Sequence, residues 1–444
     1  MFNPKQCKRL TAIVTGLSAA SVPLNAIEPG DLLVYSKEPF FLRPQFGISE
    51  THSDNVFSRA AAKDDFVTTL SPGLNLQIGK GYRNFVAFDY TLNQRFYGKL
   101  DHLNAGEHSF ALGGRLQGQR LVLLGNDSLS LLSSPMGIVQ EERPPSVPRQ
   151  PATPVPTEGA APPTAPAAPP PTDPASPIRG GEVLTSFEER NVDQTAHYHS
   201  YNLGYRISEK TAAYIQGQYS STDYEEGVGY YDINTWRGTA GFAFQGFPKT
   251  SFFGEVYYGQ TETTPNFTAP SVPELSFVGG FLGARGNFTE KLSGIVKVGY
   301  ETREFDDGAG APSSPVVDLS LTHRLTQKMS AYLSFARLHD VSVQFAKESY
   351  TANVISGGLS QLIGSAGKWR ASASGRYGMF DYETTDTSVE RSYDHIAAYF
   401  SLEYQIQVWL IARLGYSFDS IKSGTAGMEE YDVNRVTLGL SVGY

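Results

Sequence analysis

Apolar and polar residues alternate one by one over long stretches of this chain, and residues 434–444, NRVTLGLSVGY, show the pattern most clearly. Val436, Leu438, Leu440, Val442 and Tyr444 share one face of an extended strand; Arg435, Thr437, Gly439, Ser441 and Gly443 share the other. Successive side chains of a strand point to opposite faces, so this stretch separates an apolar medium from a polar one. It suits the wall of a barrel in lipid, and equally the half-buried strand of a soluble sandwich.

The same period of two recurs along the chain. Val86, Phe88, Tyr90 and Leu92 alternate with Ala87, Asp89, Thr91 and Asn93; Leu410, Ala412, Leu414, Tyr416 and Phe418 alternate with Ile411, Arg413, Gly415 and Ser417. Lysine-bearing turns at Lys210, Lys249, Lys291, Lys328 and Lys368 return at intervals of roughly 40 residues. Each interval holds two long strands, one short turn and one long loop. A propeller blade of that period packs in four short strands. Two long strands per period predict an all-β, transmembrane antiparallel β-barrel of about 18 strands, 16 to 20 being compatible, with short periplasmic turns and long extracellular loops. The closing strand is expected to pair with the first, near Phe41 to Ser49. Residues 349–363 fit either facing, because both parities mix Ser, Gly, Ala and apolar residues. Pro72, inside a wall strand, predicts a bulge beside Gly73.

Two segments break the pattern. Residues 1–26 carry Lys5, Lys8 and Arg9 before the apolar run Leu10 to Val22 and end in Leu24-Asn25-Ala26, the layout of an export signal peptide. Residues 27–444 are then expected to form a single barrel in the outer membrane of a Gram-negative-type bacterium. Within it, 133–194 reads as one long loop insertion whose core, 144–177, is rich in Pro and Ala. That core holds 14 of the chain's 27 prolines, a density neither sheet nor helix accommodates.

The only cysteine, Cys7, precedes the apolar run, so no disulfide framework is expected. The formal charge is −9 and the predicted signal carries only positive charge, which argues against nucleic-acid binding. No HExxH, CxxC or phosphate loop is present, so neither an enzyme nor a cofactor is expected. His197 and His199 would share one face of a strand, half of a metal site; lacking a third ligand, they read better as polar residues near the barrel mouth.

Function is sought on the polar face. Charged residues in phase with it are Arg95, Arg115, Arg237, Glu255, Lys297, Glu301 and Arg303, with Asp89 and Asp318 beside them. Toward the C-terminus they are Arg370, Arg376, Glu403, Arg413 and Arg435. Arginines facing acids would set a transverse field favouring anionic solutes, or else form neutralising pairs that stiffen the lumen. Tyr219, Trp236, Tyr258, Tyr300, Trp369, Tyr404 and Tyr444 are candidates for aromatic girdles.

Asp54-Asn55-Val56-Phe57, Asp65 to Leu74, Tyr90 and Asp101-His102 resemble the outer-membrane β-barrel porin family often associated with exopolysaccharide loci. The resemblance covers residues 40–130 in short motifs, with a looser strand pattern beyond. It implies a barrel in outer-membrane lipid and, as an alternative to passive passage of small hydrophilic solutes, a part in exopolysaccharide export alongside export machinery. The terminal aromatic, with Val436, Leu438, Leu440 and Val442, also looks like the signal read by the barrel assembly machinery. A soluble glycan-binding β-sandwich is the third alternative.

Overall fold

The computed structural model describes residues 35–37, 39–79, 84–135, 189–269, 271–308, 310–345, 347–365, 367–384, 391–425 and 430–443. The expected signal peptide, the Pro-rich core and Tyr444 lie outside these. A three-residue strand, β1 (Tyr35–Lys37), precedes β2 (Phe40–Ser53), β3 (Asp65–Ile78), β4 (Phe85–Tyr97), β5 (Ala105–Gln117), β6 (Leu121–Pro135) and β7 (Asn191–Arg206). There follow β8 (Thr211–Tyr224), β9 (Tyr231–Phe247), β10 (Thr250–Pro265), β11 (Leu275–Asn287), β12 (Leu292–Phe305) and β13 (Gly310–Arg324). The chain continues with β14 (Met329–Val341), β15 (Glu348–Ile363), β16 (Trp369–Thr384), β17 (Arg391–Gln407), β18 (Leu410–Ser423) and β19 (Tyr431–Val442). The strands β2 to β19 pair antiparallel with their sequence neighbours, and β19 pairs with β2, so the 18 wall strands close on themselves. Closure removes the open edges that a sandwich would leave, and the soluble-sandwich alternative falls with it.

The wall has two distinct faces. Leu282 (71% exposed), Val256, Ile215, Val298, Leu438, Leu414 and Phe400 point outward, and none of them has a core to enter. Tyr219, Trp236, Tyr258 and Tyr300 face outward toward the long-loop end; Trp369 and Tyr404 do so at the short-turn end, their rings 4.4 Å apart. An apolar band between aromatic girdles is the outer surface a bilayer selects. Replacing Leu438, mid-band on β19 and opposite Leu414, by Arg should cost about 2–4 kcal/mol, read as a lower unfolding midpoint in urea.

Three expectations need correction. Pro72 makes no bulge: the β3–β4 ladder skips Ser71 and Pro72 and resumes in unchanged register. The missing N–H of proline is absorbed as a gap in the ladder rather than an inserted residue. The closing register lies higher than expected, with β19 opposite Phe46–Ser53, while β1 covers Phe40–Leu42. Because β3 occupies the other edge of β2 throughout, β1 and β19 share one edge end to end. The long insertion is also shorter than 133–194, since β6 runs to Pro135 and β7 starts at Asn191.

The long-loop end folds over the lumen. The loop after β2 buries Val56 and Phe57 against Tyr97 and Leu103. Its Asp54 carboxylate accepts bonds from the Asn434 backbone and side chain, both 2.7 Å, and Asn55 donates to Asp432 O at 3.2 Å. The residues that carry the family resemblance therefore tie the first loop to the last strand. Arg59 and Lys63 clasp Glu189 near the base of the long insertion. The Lys63 hydrogen bond, helped by the Arg59 charge, holds the Glu189 carboxyl below the usual carboxylate range.

Candidate functional site

The β14–β15 hairpin narrows the lumen. Above the pair Val317–Arg337, β14 no longer pairs with β13. The upper hairpin leans inward, and Tyr231 N donates to Val343 O at 2.8 Å, a contact reaching β9. Val341 packs in a buried cluster with Ile233, Leu275 and Phe305 from the inner faces of β9, β11 and β12. Glu348, Ser349, Tyr350, Thr351 and Ala352 are all buried, so the top of β15 is covered on both sides.

Under this hairpin lies a cavity of about 210 Å³. Its floor is built by large inward aromatics seated on glycines of the neighbouring strand. A Cβ at Gly279 would meet the Tyr257 hydroxyl at 2.4 Å, and one at Gly259 would meet the Phe277 ring at 2.4 Å. Bare glycine thus lets each ring lie flat across the wall. The charged groups arrange themselves on these rings. Arg237 stacks over Tyr257 at 3.7 Å, and Lys297 stands 5.5 Å above Phe281 while pairing with Asp318 at 3.2 Å. Glu301 accepts from Arg303 (2.7 Å) and from the Tyr257 hydroxyl (2.9 Å), and Glu255 accepts from the Tyr214 hydroxyl at 2.6 Å.

The structure brings five sequence-derived candidates, Arg237, Glu255, Lys297, Glu301 and Arg303, to this one cavity. A second group forms on β16 to β19. Glu403 bridges Arg413 at 2.5 Å and Arg370 at 3.9 Å, and Arg435 pairs with Asp419 at 2.7 Å. Arg376 stands on the inward face of β16, opposite Ser356 and Ala397. Arg95 and Arg115 stand apart on β4 and β5; Arg95 pairs with Glu107, and Arg115 donates to Gln117 at 3.1 Å.

Sequence reasoning missed Arg285, which shares the inward parity of Phe277 and Phe281 and lies 5.1 Å over the Phe253 ring. It also missed the buried Arg391–Glu348 pair, because both residues fall one position outside the expected strands. His197 and His199 do not sit at the mouth. They stack 6.4 Å apart on the outer face, where His199 Nδ1 meets Asp127 Oδ1 at 2.6 Å.

The charges are uneven. The cavity acids Glu255, Glu301 and Asp318 are engaged by a tyrosine, an arginine or a lysine, and Asp340 accepts from the Val341 backbone N–H at 2.9 Å. Arg115, Arg237 and Arg285 form no ion pair among the described residues, and their shown contacts are to an amide or to aromatic rings. Arginines without a salt-bridge partner on a low-dielectric wall raise the local concentration of anions.

Fold and lumen together define a closed, 18-stranded antiparallel barrel with a charged interior. No family model matches the chain, and no curated protein matches it. Among solved structures it is similar to the outer membrane protein OpdK of Pseudomonas aeruginosa, at 11% identity and a TM-score of 0.43 over 91% of this chain and 99% of that one. OccAB4 of Acinetobacter baumannii gives 10%, 0.43, 91% and 98%. The siderophore receptor PirA of Pseudomonas aeruginosa gives 7%, 0.42, 91% and 80%. The functional reading rests on this chain's own lumen.

Proposed function

We propose that this protein is an outer-membrane channel through which small hydrophilic solutes pass by diffusion, anions ahead of cations. The observation that carries the reading is the set of inward arginines without an acid partner, within a wall whose outer face is an apolar band. A barrel of 16–18 strands leaves an aqueous path. Here the hairpin reduces that path to a narrow one beside the charged cavity. Among the described residues, no feature of the lumen favours the polysaccharide-export alternative.

Reconstituted in a planar bilayer under a KCl gradient, the protein should conduct, with a reversal potential on the chloride-selective side. Arg237→Gln should move that potential toward the cation side without unfolding the barrel, since Arg237 holds no buried carboxylate. A folded barrel that does not conduct would sink the channel reading. Conduction with cation preference would sink the anion part alone.

A further inference from the structure

The line between β13 and β14 differs from the other strand junctions. The β12–β13 ladder continues up to Glu304–Gly310 and the β14–β15 ladder to Val341–Ser349, whereas β13–β14 stops at Val317–Arg337. The sequence explains why. The upper edge of β13 reads Ala311-Pro312-Ser313-Ser314-Pro315, and two prolines remove two N–H donors. No backbone ladder seals this seam above Val317–Arg337, and side chains bridge it. His339 Nε2 meets Ser314 Oγ at 2.5 Å, and His339 Nδ1 meets Thr351 Oγ1 at 2.9 Å. Arg303 donates to His339 O at 2.5 Å from the lumen side.

Two further observations say what the seam could pass. On its inner side it opens on the 210 Å³ cavity, whose lining here interleaves apolar Val316, Val317, Ala336 and Leu338 with Asp318, Arg337 and Asp340. Deeper in stands Arg237, with a buried Nε that has no acceptor. On its outer side the seam starts where the apolar band ends. Pro315 pairs with Tyr300, a girdle aromatic, and Val317, Leu319 and Leu321 continue the band below.

We propose that the β13–β14 seam is a side portal through which an amphiphile with an anionic head and one short apolar chain reaches the cavity from the outer leaflet. The head lies toward Arg237 and the chain along Val316 and Leu338, with His339 as the latch. The proposal rests on the membrane-channel reading, and its test separates the two.

Decanoate carrying a terminal diazirine is photolysed with the folded protein in lipid nanodiscs, and labelled peptides are mapped by mass spectrometry. Label should concentrate in 312–320 and 335–341 and be competed by excess decanoate. In a Cys7→Ser background, Ser314→Cys with His339→Cys, bridged on the folded protein by a short bis-thiosulfonate, should lose most of that label. Reduction should restore it, and closing and reopening the bridge should leave the axial conductance of this variant unchanged. Label spread over the outer band without the seam, or seam label indifferent to the bridge, overturns the portal. Loss of conductance in the unmodified protein would instead overturn the channel.

Discussion

Shortening the β14–β15 hairpin so that Leu338 joins Ala352 through Asn-Gly should raise single-channel conductance several-fold. Leu338 and Ala352 are directly paired, so a two-residue turn closes the hairpin at that rung. The wall keeps its ladders below the cut, from Met329–Gln361 upward on one side and Val317–Arg337 on the other. What disappears is the inward tip, with His339, Val341 and the contact of Val343 with Tyr231, together with the top four rungs of β15 against β16 and the buried Glu348 partner of Arg391. Four apolar residues packed together, Ile233, Leu275, Phe305 and Val341, hold the tip in place. Removing Val341 therefore exposes the other three to water, and some loss of stability is expected alongside the wider path. The heat-modified band shift in gel electrophoresis shows that the barrel has closed. A closed barrel with unchanged conductance would mean that the ions take a route the hairpin does not narrow.

Asp65→Ala should destabilise the barrel by about 3 kcal/mol, the range for lost hydrogen bonds to a charged group. Asp65 is 1% exposed, and its two oxygens accept from three backbone N–H groups. Phe66 N lies at 2.7 Å, Lys99 N at 3.0 Å from each oxygen and Leu100 N at 2.9 Å. The carboxylate thus fixes the start of β3 to the loop after β4. That loop carries Leu103, which is fully buried with Phe57. Alanine would leave these N–H groups unsatisfied under a packed apolar cluster, where water cannot easily replace the acceptor. Asp65→Asn keeps one acceptor oxygen and should lose less. Urea unfolding in detergent, followed by tryptophan fluorescence, measures both. A midpoint for Asp65→Ala equal to that of the unaltered protein would show that the loop is held by its apolar cluster alone.

The wall was legible because lipid and lumen impose opposite demands on alternate residues, and the alternation of Leu410 to Phe418 records both. The same logic explains where reading failed. Residues 349–363 gave no clear facing because the top of β15, still paired with β16, is covered on both faces, so selection for an apolar and a polar face lapses there. Lower down, Ile355, Leu359 and Ile363 do face outward. The lumen candidates followed from parity alone, which places a side chain on a face but says nothing of its partners. Parity put Arg237 inside; only the bare Gly279 beneath Tyr257 shows why that ring lies where Arg237 can stack on it. The seam had a visible signal, the two prolines of β13. Its meaning depended on the next strand bending away, which no local pattern records.

The short strand β1 has one more consequence. The edge of β2 that β19 closes is finite: β19 reaches down to Phe46 with Val442, and β1 already holds Leu42 to Phe40. A slip of β19 down that edge by several residues would run it into β1. Slips of this kind change the shear of a barrel, and with it the strand tilt and the radius. A segment of three residues thus acts as an end-stop for the closing strand, and helps set the bore of the whole barrel.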